Sequence, residues 1–198
     1  MTKNRLQVRK HQLVRNAIYD AAMRLFAVKG FDETTVEAVA QASGVSRRSF
    51  FRYFASKDDV LAQNVLHYGD VLTAAVAAGP AGLTPFETVR ETILTVVKQT
   101  AGQAHTRQVI DIAERSASAR QAHTSKMREV EDSVAAAYAA RLKSPSNYDV
   151  KPRLLATLTL SVMNVAIMAW YRGEYQDLSD AANQVFSNLA HFICDKPS

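Results

Sequence analysis

The fold is decided by residues 34–54, which read TTVEAVAQASGVSRRSFFRYF. Thr34 and Glu37 have the spacing of a capping box, so Thr34 is the predicted N-cap of a first short helix. A Ser-Gly break follows, and Ser46 is the predicted N-cap of a second short helix. Two short helices joined by a tight glycine turn are typical of a helix-turn-helix unit.

The two short helices have different roles in such a unit. The first, predicted at 35–42, lies across the DNA backbone, and the N-terminal residues of the second, predicted at 47–53, enter the major groove. Phe50 and Phe54 are the predicted inward anchors, and Phe51 fits the core and the DNA-facing side equally well. The outward side chains carry three guanidinium and two hydroxyl groups, which suit base edges and phosphates. These side chains are Arg47, Arg48, Ser49, Arg52 and Tyr53.

Helical periodicity continues on both sides of this stretch, and strand signals are nearly absent. The Gly-Pro-Ala-Gly run at 79–82 is the clearest break, and Thr84-Pro85-Phe86-Glu87 then predicts a capped restart. We therefore predict an all-α fold of about nine helices. Their expected ranges are 9–29, 35–42, 47–53, 57–78, 85–101, 105–118, 121–142, 152–172 and 178–194.

Charge is distributed unevenly along the 198 residues, whose net charge is +5. Residues 1–57 hold 11 Lys or Arg and 4 Asp or Glu, a net of +7, so the rest carries −2. A basic head on a near-neutral body favours binding to a polyanion, with a solvated basic tail as the alternative. Whether Lys3, Arg5, Arg9 and Lys10 form a frayed tail or an arm that reaches DNA stays open.

Several other classes of protein are disfavoured. The single cysteine, Cys194, excludes an intrachain disulfide and a cysteine zinc site, and no metal or cofactor is expected. We find no phosphate-binding glycine loop, no nucleophile elbow and no His-Glu-x-x-His, so an enzyme is not predicted. Residues 154–171 are apolar but interrupted by hydroxyl and amide groups, so we expect no membrane span and a cytoplasmic location. A helical scaffold with a basic head remains an alternative.

Residues 26–57 resemble the TetR family of bacterial transcriptional regulators. The matching motifs follow one another in the family's order without gaps, and they cover about a quarter of the chain. They are Gly30-Phe31, Thr34-Thr35-Val36, Val39-Ala40, Ala42, Gly44-Val45-Ser46 and Phe51-Arg52-Tyr53-Phe54-Ala55-Ser56-Lys57.

The resemblance implies roles for individual residues of the head. Thr35, Tyr53 and Lys57 are expected to contact phosphates, and residues 47–49 are expected to read bases. Phe51 replaces a common tyrosine and Arg48 replaces a common small residue, which implies a different operator. The implied DNA-binding set is Thr35, Ser46, Arg47, Arg48, Ser49, Phe51, Arg52, Tyr53 and Lys57.

The resemblance also implies two domains, a helix-turn-helix head at 1–57 and a helical ligand-binding and dimerisation domain at 58–198. The last two helices are expected to pack against a second copy, through Leu158, Val162, Val165, Val185, Leu189 and Phe192. A wholly intrachain core is the alternative.

A pocket for a small apolar or amphipathic effector is expected between the head and that interface. Its candidate residues are His67, Tyr68, Phe86, His105, Met127, Met163 and Trp170. The Phe-Phe-Arg-Tyr-Phe and Trp-Tyr-Arg-Gly-Glu segments resemble a branch of the family reported to sense acyl thioesters. The predicted function is a homodimeric repressor that such a ligand releases from a near-palindromic double-stranded DNA operator.

Overall fold

The computed structural model describes residues 2–99, 103–144, 146 and 149–194. In these residues the backbone forms nine α-helices and no β-strand, which confirms the predicted all-α class. The helices are α1 (Thr2–Lys29), α2 (Val36–Ala42), α3 (Arg47–Tyr53), α4 (Lys57–Ala78), α5 (Pro85–Gln99), α6 (Gln103–Arg115), α7 (Ala117–Leu142), α8 (Val150–Tyr171) and α9 (Leu178–Cys194).

The helix starts follow local capping chemistry, with one correction. Thr84 and Glu87 cap α5 reciprocally, since the Thr84 amide donates to Glu87 Oε2 at 2.8 Å and the Glu87 amide donates to Thr84 Oγ1 at 3.3 Å. At α2, however, the N-cap is Thr35 rather than Thr34, because Thr35 Oγ1 accepts the Ala38 amide at 3.2 Å. Thr34 is instead buried, and its hydroxyl donates to the Gly30 carbonyl at 2.7 Å.

The chain forms two compact units, each built from two separated segments. The N-terminal unit comprises Met1–Leu66 and Ala104–Met127, and the C-terminal unit comprises His67–Gln103 and Arg128–Ser198. These units differ from the domain boundary expected after residue 57, because α6 and the start of α7 belong with the head.

The core of the N-terminal unit explains this grouping. Phe26, Phe31 and Phe50 are buried in one apolar cluster that also includes Val109 and Ile112 of α6. A polar contact accompanies this packing, since Gln108 Nε2 donates to the Met23 carbonyl at 3.0 Å. The three helices of the head therefore complete their core with residues that follow more than forty positions later in the sequence.

The C-terminal unit packs α8 against α5 and α9. Trp170 and Tyr138 are its largest fully buried side chains, and the Tyr138 hydroxyl pairs with Thr159 Oγ1 at 2.8 Å. By length and composition, one helix of the described residues, α8, is apolar enough to cross a membrane. One face of α8 is buried, and the hydroxyl pair joins this helix to Tyr138 inside the C-terminal unit.

Candidate nucleic-acid interface

The turn between α2 and α3 sets the direction of the second helix. Gly44 has φ +71°, a left-handed conformation that side chains other than glycine rarely adopt. The Val45 amide then donates to the Ala40 carbonyl at 2.9 Å, and Ser46 Oγ accepts the Ser49 amide at 3.1 Å. Phe50 is fully buried beneath this turn, so the opposite side of α3 faces outward.

That outward side presents three exposed guanidinium groups with different surroundings. Arg47 Nε lies 2.8 Å from Glu37 Oε1, and its guanidinium carbon lies 5.5 Å from the centre of the Phe51 ring. Arg52 lies over the Tyr53 ring at 5.1 Å. In the described part of the chain Arg48 makes no hydrogen bond or ion pair, so its five N–H donors are available to a ligand.

Two hydroxyl groups near the DNA-facing surface act as N-caps, because Thr35 Oγ1 and Ser46 Oγ each accept a backbone amide hydrogen bond at a helix start. Ser46 also donates to Ser49 Oγ at 3.1 Å, while Thr35 is exposed with its Oγ1 accepting an amide. The hydroxyl protons of Thr35 and Ser49 therefore remain able to donate to a phosphate. Phe51 is 46% exposed and lies edge-on to Phe50 at 5.5 Å, so it belongs to the surface of α3.

The end of α3 is held by two residues of α1 that the sequence did not single out. The His11 ring lies 4.5 Å from the Tyr53 ring, and the Arg15 guanidinium donates to the Tyr53 carbonyl at 3.4 Å. Arg15 also lies 4.6 Å from the centre of the Phe54 ring. Both residues lie four positions apart on one face of the helix predicted at 9–29, but their partner Tyr53 is distant in the sequence, so the spacing alone did not indicate this contact.

Lys57 has partners different from the phosphate expected for it. Its ammonium donates to the carbonyls of Phe31 at 2.7 Å, Asp32 at 3.1 Å and Thr34 at 3.2 Å. These three contacts use all three donors of an ammonium group. Lys57 therefore fixes the loop between α1 and α2, and in this arrangement it has no N–H left for DNA.

The same loop is held from a second side. Asp32 accepts hydrogen bonds from Ser116 and Ser118, which lower the pKa of its carboxyl, and the Lys57 charge acts in the same direction. The α1–α2 loop is thus fixed both by α4 and by the start of α7.

The predicted effector residues are divided between the two units. His105 and Met127 belong to the N-terminal unit, where the His105 ring lies 6.1 Å from the Tyr19 ring. In the C-terminal unit His67 is exposed, Met163 and Trp170 are buried, and Phe86 contacts Phe186 with ring centres 4.6 Å apart. Tyr68 is the distinctive member, since its hydroxyl is buried without a hydrogen-bond partner among the described residues and burial raises its pKa.

Two cavities of about 440 and 450 Å³ lie in the described structure, and none of the seven predicted effector residues lines either of them. The first lies in the N-terminal unit, between the end of α1 and α6. The second lies in the C-terminal unit beside Tyr138 and Arg141. The Arg141 guanidinium there is already bound to the carbonyls of Val76, Gly79 and Pro80.

The residues predicted for a dimer interface differ in exposure. Val165 is 53% exposed and Phe192 is 77% exposed, while Leu158, Val185 and Leu189 are half-buried. Val162 is buried inside its own unit and makes no outward surface. Leu154 of α8, which was not in the predicted set, is 63% exposed.

An all-α chain with an exposed basic face on a helix-turn-helix is a DNA-binding protein of the helix-turn-helix class. No group of three or more metal-binding side chains occurs in the residues described. The family model for bacterial regulatory proteins of the tetR family matches residues 18–63, and the MftR C-terminal domain matches residues 83–193. The chain belongs to the TetR family of bacterial transcriptional regulators.

Relatives and solved structures agree with this assignment. The chain is 28% identical over 181 residues to the HTH-type transcriptional regulator TcmR of Streptomyces glaucescens, covering 87% of this chain and 80% of TcmR. The fatty acid degradation regulator FadR from Bacillus halodurans is similar in fold, with a TM-score of 0.61, 16% identity, and coverage of 92% of this chain and 97% of that one. FadR from Bacillus subtilis, solved in complex with stearoyl-CoA, is also similar in fold. Its TM-score is 0.57 at 18% identity, and the match covers 86% of this chain and 95% of that one. The protein is thus a DNA-binding regulator rather than an enzyme.

Proposed function

We propose that the protein is a cytoplasmic homodimeric repressor that a small amphipathic ligand releases from a near-palindromic operator. The observation that carries the proposal is the state of Arg48, which is exposed on the recognition helix with no partner in the described structure. An arginine in the major groove donates two hydrogen bonds to a guanine edge, so Arg48 is suited to read a base. Arg47 and Ser49 flank it as the other reading residues.

The exposed apolar side chains of the last two helices support the dimer. Leu154 and Val165 of α8 and Phe192 of α9 are each more than half exposed, although such residues are normally buried. A second copy packed on this face would bury them. Dimeric helix-turn-helix proteins bind two half-sites about 34–36 Å apart, one turn of DNA, so a dimer has twice the DNA contacts of a single head.

The Tyr68 hydroxyl, buried and unpaired among the described residues, supports the proposal that the protein binds a small ligand. A buried hydroxyl without a hydrogen bond costs about 1–3 kcal/mol, and a ligand with a polar acceptor would satisfy it. Thr73 Oγ1, on the same helix, is also buried without a partner in the described residues. Ligand sites in proteins generally combine apolar walls with a few polar groups, which suits an amphipathic molecule. The stearoyl-CoA in the Bacillus subtilis FadR structure is a molecule of that class. An acyl thioester is therefore the first candidate.

The operator is tested by selecting bound duplexes from a random DNA pool with the wild-type protein, Arg48→Ala and Arg128→Ala. Arg128 is exposed in the C-terminal unit, so its variant removes the same charge away from the head. The wild type and Arg128→Ala should enrich the same near-palindrome. Arg48→Ala should lose about 1–3 kcal/mol on that sequence and tolerate changes at one base pair of each half-site. No enrichment by the wild type would contradict the proposal.

The ligand is tested by adding stearoyl-CoA, and separately free CoA, to the protein–operator complex while following fluorescence anisotropy. Release by stearoyl-CoA but not by CoA supports an effector that is recognised through its apolar chain. Unchanged anisotropy with both would exclude long-chain acyl thioesters as effectors.

A further inference from the structure

The N-terminal end of α1 is a basic helix rather than a frayed tail. Helix α1 begins at Thr2, while the match to the DNA-binding family model begins at residue 18. Residues 1–19 contain five Lys or Arg and no Asp or Glu. From Thr2 onward this segment is helical, it precedes the matched residues, and its charged side chains are all basic.

Contacts within the N-terminal unit fix this addition to the recognition helix. The His11 ring contacts the Tyr53 ring at 4.5 Å, and Arg15 bonds both the Tyr53 carbonyl at 3.4 Å and Gln63 Oε1 at 3.3 Å. Tyr53 is also the residue whose hydroxyl Arg52 contacts at 3.4 Å. The basic helix therefore contacts the recognition helix α3 at Tyr53, next to the exposed Arg52.

Beyond His11 the helix continues for residues 2–10, which span about 13 Å at 1.5 Å per residue. Arg9 and Lys10 are exposed there, and neither has a partner in the described chain. Unpaired cations next to a DNA-binding surface raise the affinity for phosphates, because each contact releases condensed counterions from the duplex.

We propose that the first turns of α1, through Arg9 and Lys10, form a second phosphate-binding surface that contacts the duplex outside the base pairs read by α3. This inference uses the DNA-binding activity of the family and does not depend on the repressor mechanism. The contact carries no sequence information, and it lengthens the stretch of DNA that each head covers. Leu6, Val8 and Leu13 are also exposed on this helix, so a protein partner is the competing explanation that the test must separate.

The test compares Arg9→Ala/Lys10→Ala with Arg24→Ala/Lys29→Ala. Both variants remove two charges from exposed positions of α1, but Arg24 lies about 20 Å further along the helix than Lys10. Dissociation constants are measured by anisotropy at several salt concentrations, on the selected operator and on a random-sequence duplex. The first variant should flatten the slope of log affinity against log salt by about 1.8 for each bound head, from two lost phosphate contacts per head. The second should leave the slope unchanged.

A second readout uses operators with shortened flanks. Trimming the flanking base pairs should weaken the wild type and should leave Arg9→Ala/Lys10→Ala unaffected, since that variant no longer contacts them. Equal flattening in both double variants would mean a general charge effect and would overturn the proposal. An unchanged slope in Arg9→Ala/Lys10→Ala would also overturn it, in favour of a partner other than DNA. If the wild type selects no operator, the proposed function fails while the random-sequence slope still decides this inference.

Discussion

Glu37 of α2 and Arg47 of α3 form an ion pair across the helix-turn-helix, with Arg47 Nε 2.8 Å from Glu37 Oε1. The pair distinguishes two neighbouring arginines, because Arg47 is held by a carboxylate while Arg48 is not. Both side chains of the pair are exposed, and exposed ion pairs add little to stability. The ion pair therefore affects the orientation of the Arg47 side chain and the net charge of the DNA-facing surface more than it affects the stability of the fold.

Replacing Glu37 with glutamine should strengthen DNA binding. The change removes a negative charge from the DNA-facing surface and releases the Arg47 guanidinium, a gain of about 1 kcal/mol or fivefold in affinity for a charge near a phosphate. The free energy of unfolding should change by less than about 1 kcal/mol. Anisotropy and urea denaturation measure the two quantities. Weaker binding by Glu37→Gln would show instead that the ion pair aims Arg47 at its target.

Replacing Lys57 with methionine should destabilise the head without changing the salt dependence of DNA binding. Three carbonyls of the α1–α2 loop lose their donor, and hydrogen bonds to charged groups contribute about 1.5–3 kcal/mol each. We expect a loss of at least about 2 kcal/mol in the free energy of unfolding. Lys29→Met, at an exposed position, is the matched control. A flatter salt slope with unchanged stability would return Lys57 to the phosphate contacts.

The stability of the N-terminal unit should fall as the pH drops below neutrality, because of His123. Burial lowers the pKa of this imidazole, so the folded state keeps it neutral while the unfolded chain binds a proton near pH 6.5. Stability from this group is therefore fully present above about pH 6.5 and is lost as the pH falls from there to the lower pKa of the folded state, by at most about 1.4 kcal/mol per pH unit. Denaturant titrations from pH 8 to pH 5 should show this slope in the wild type and a reduced slope in His123→Gln.

Replacing Tyr68 with phenylalanine should stabilise the ligand-free protein and weaken its response to ligand. The variant removes a buried hydroxyl that has no partner in the described structure, which is worth up to about 1 kcal/mol. Tyr138→Phe is the matched control, because its hydroxyl is paired with Thr159 and its loss should cost stability. Thermal unfolding with and without stearoyl-CoA separates the two effects. Destabilisation of both variants alike would mean that the Tyr68 hydroxyl is satisfied in solution.

The helix-turn-helix was predictable because its signals are local. Ser46, Gly44 and Phe50 each act within a few residues of their own position, and the structure places all three as the pattern indicates. The choice between Thr34 and Thr35 as N-cap was not local. Burial against the head and a hydrogen bond to Gly30 occupy Thr34, so the next hydroxyl takes the cap.

Other features required contacts between distant residues. Lys57 is predicted to bind an anion from its place at a helix start, but its partners lie more than twenty residues earlier. Similarly, residues before Arg9 show no apolar stripe, so nothing local indicates that α1 begins at Thr2. The contacts of this part of α1 with the rest of the head, made by His11 and Arg15 to Tyr53, are visible only in the structure.

The two-segment composition of the N-terminal unit has a consequence for synthesis of the chain. A nascent polypeptide that ends near residue 66 holds both short helices of the reading head, but it lacks Val109, Ile112 and Ala119 of the cluster beneath them. The head can close its core only after residues 104–127 have been translated. We therefore expect a chain that stops before residue 104 to fold its reading helices poorly and to bind DNA more weakly than the 198-residue chain.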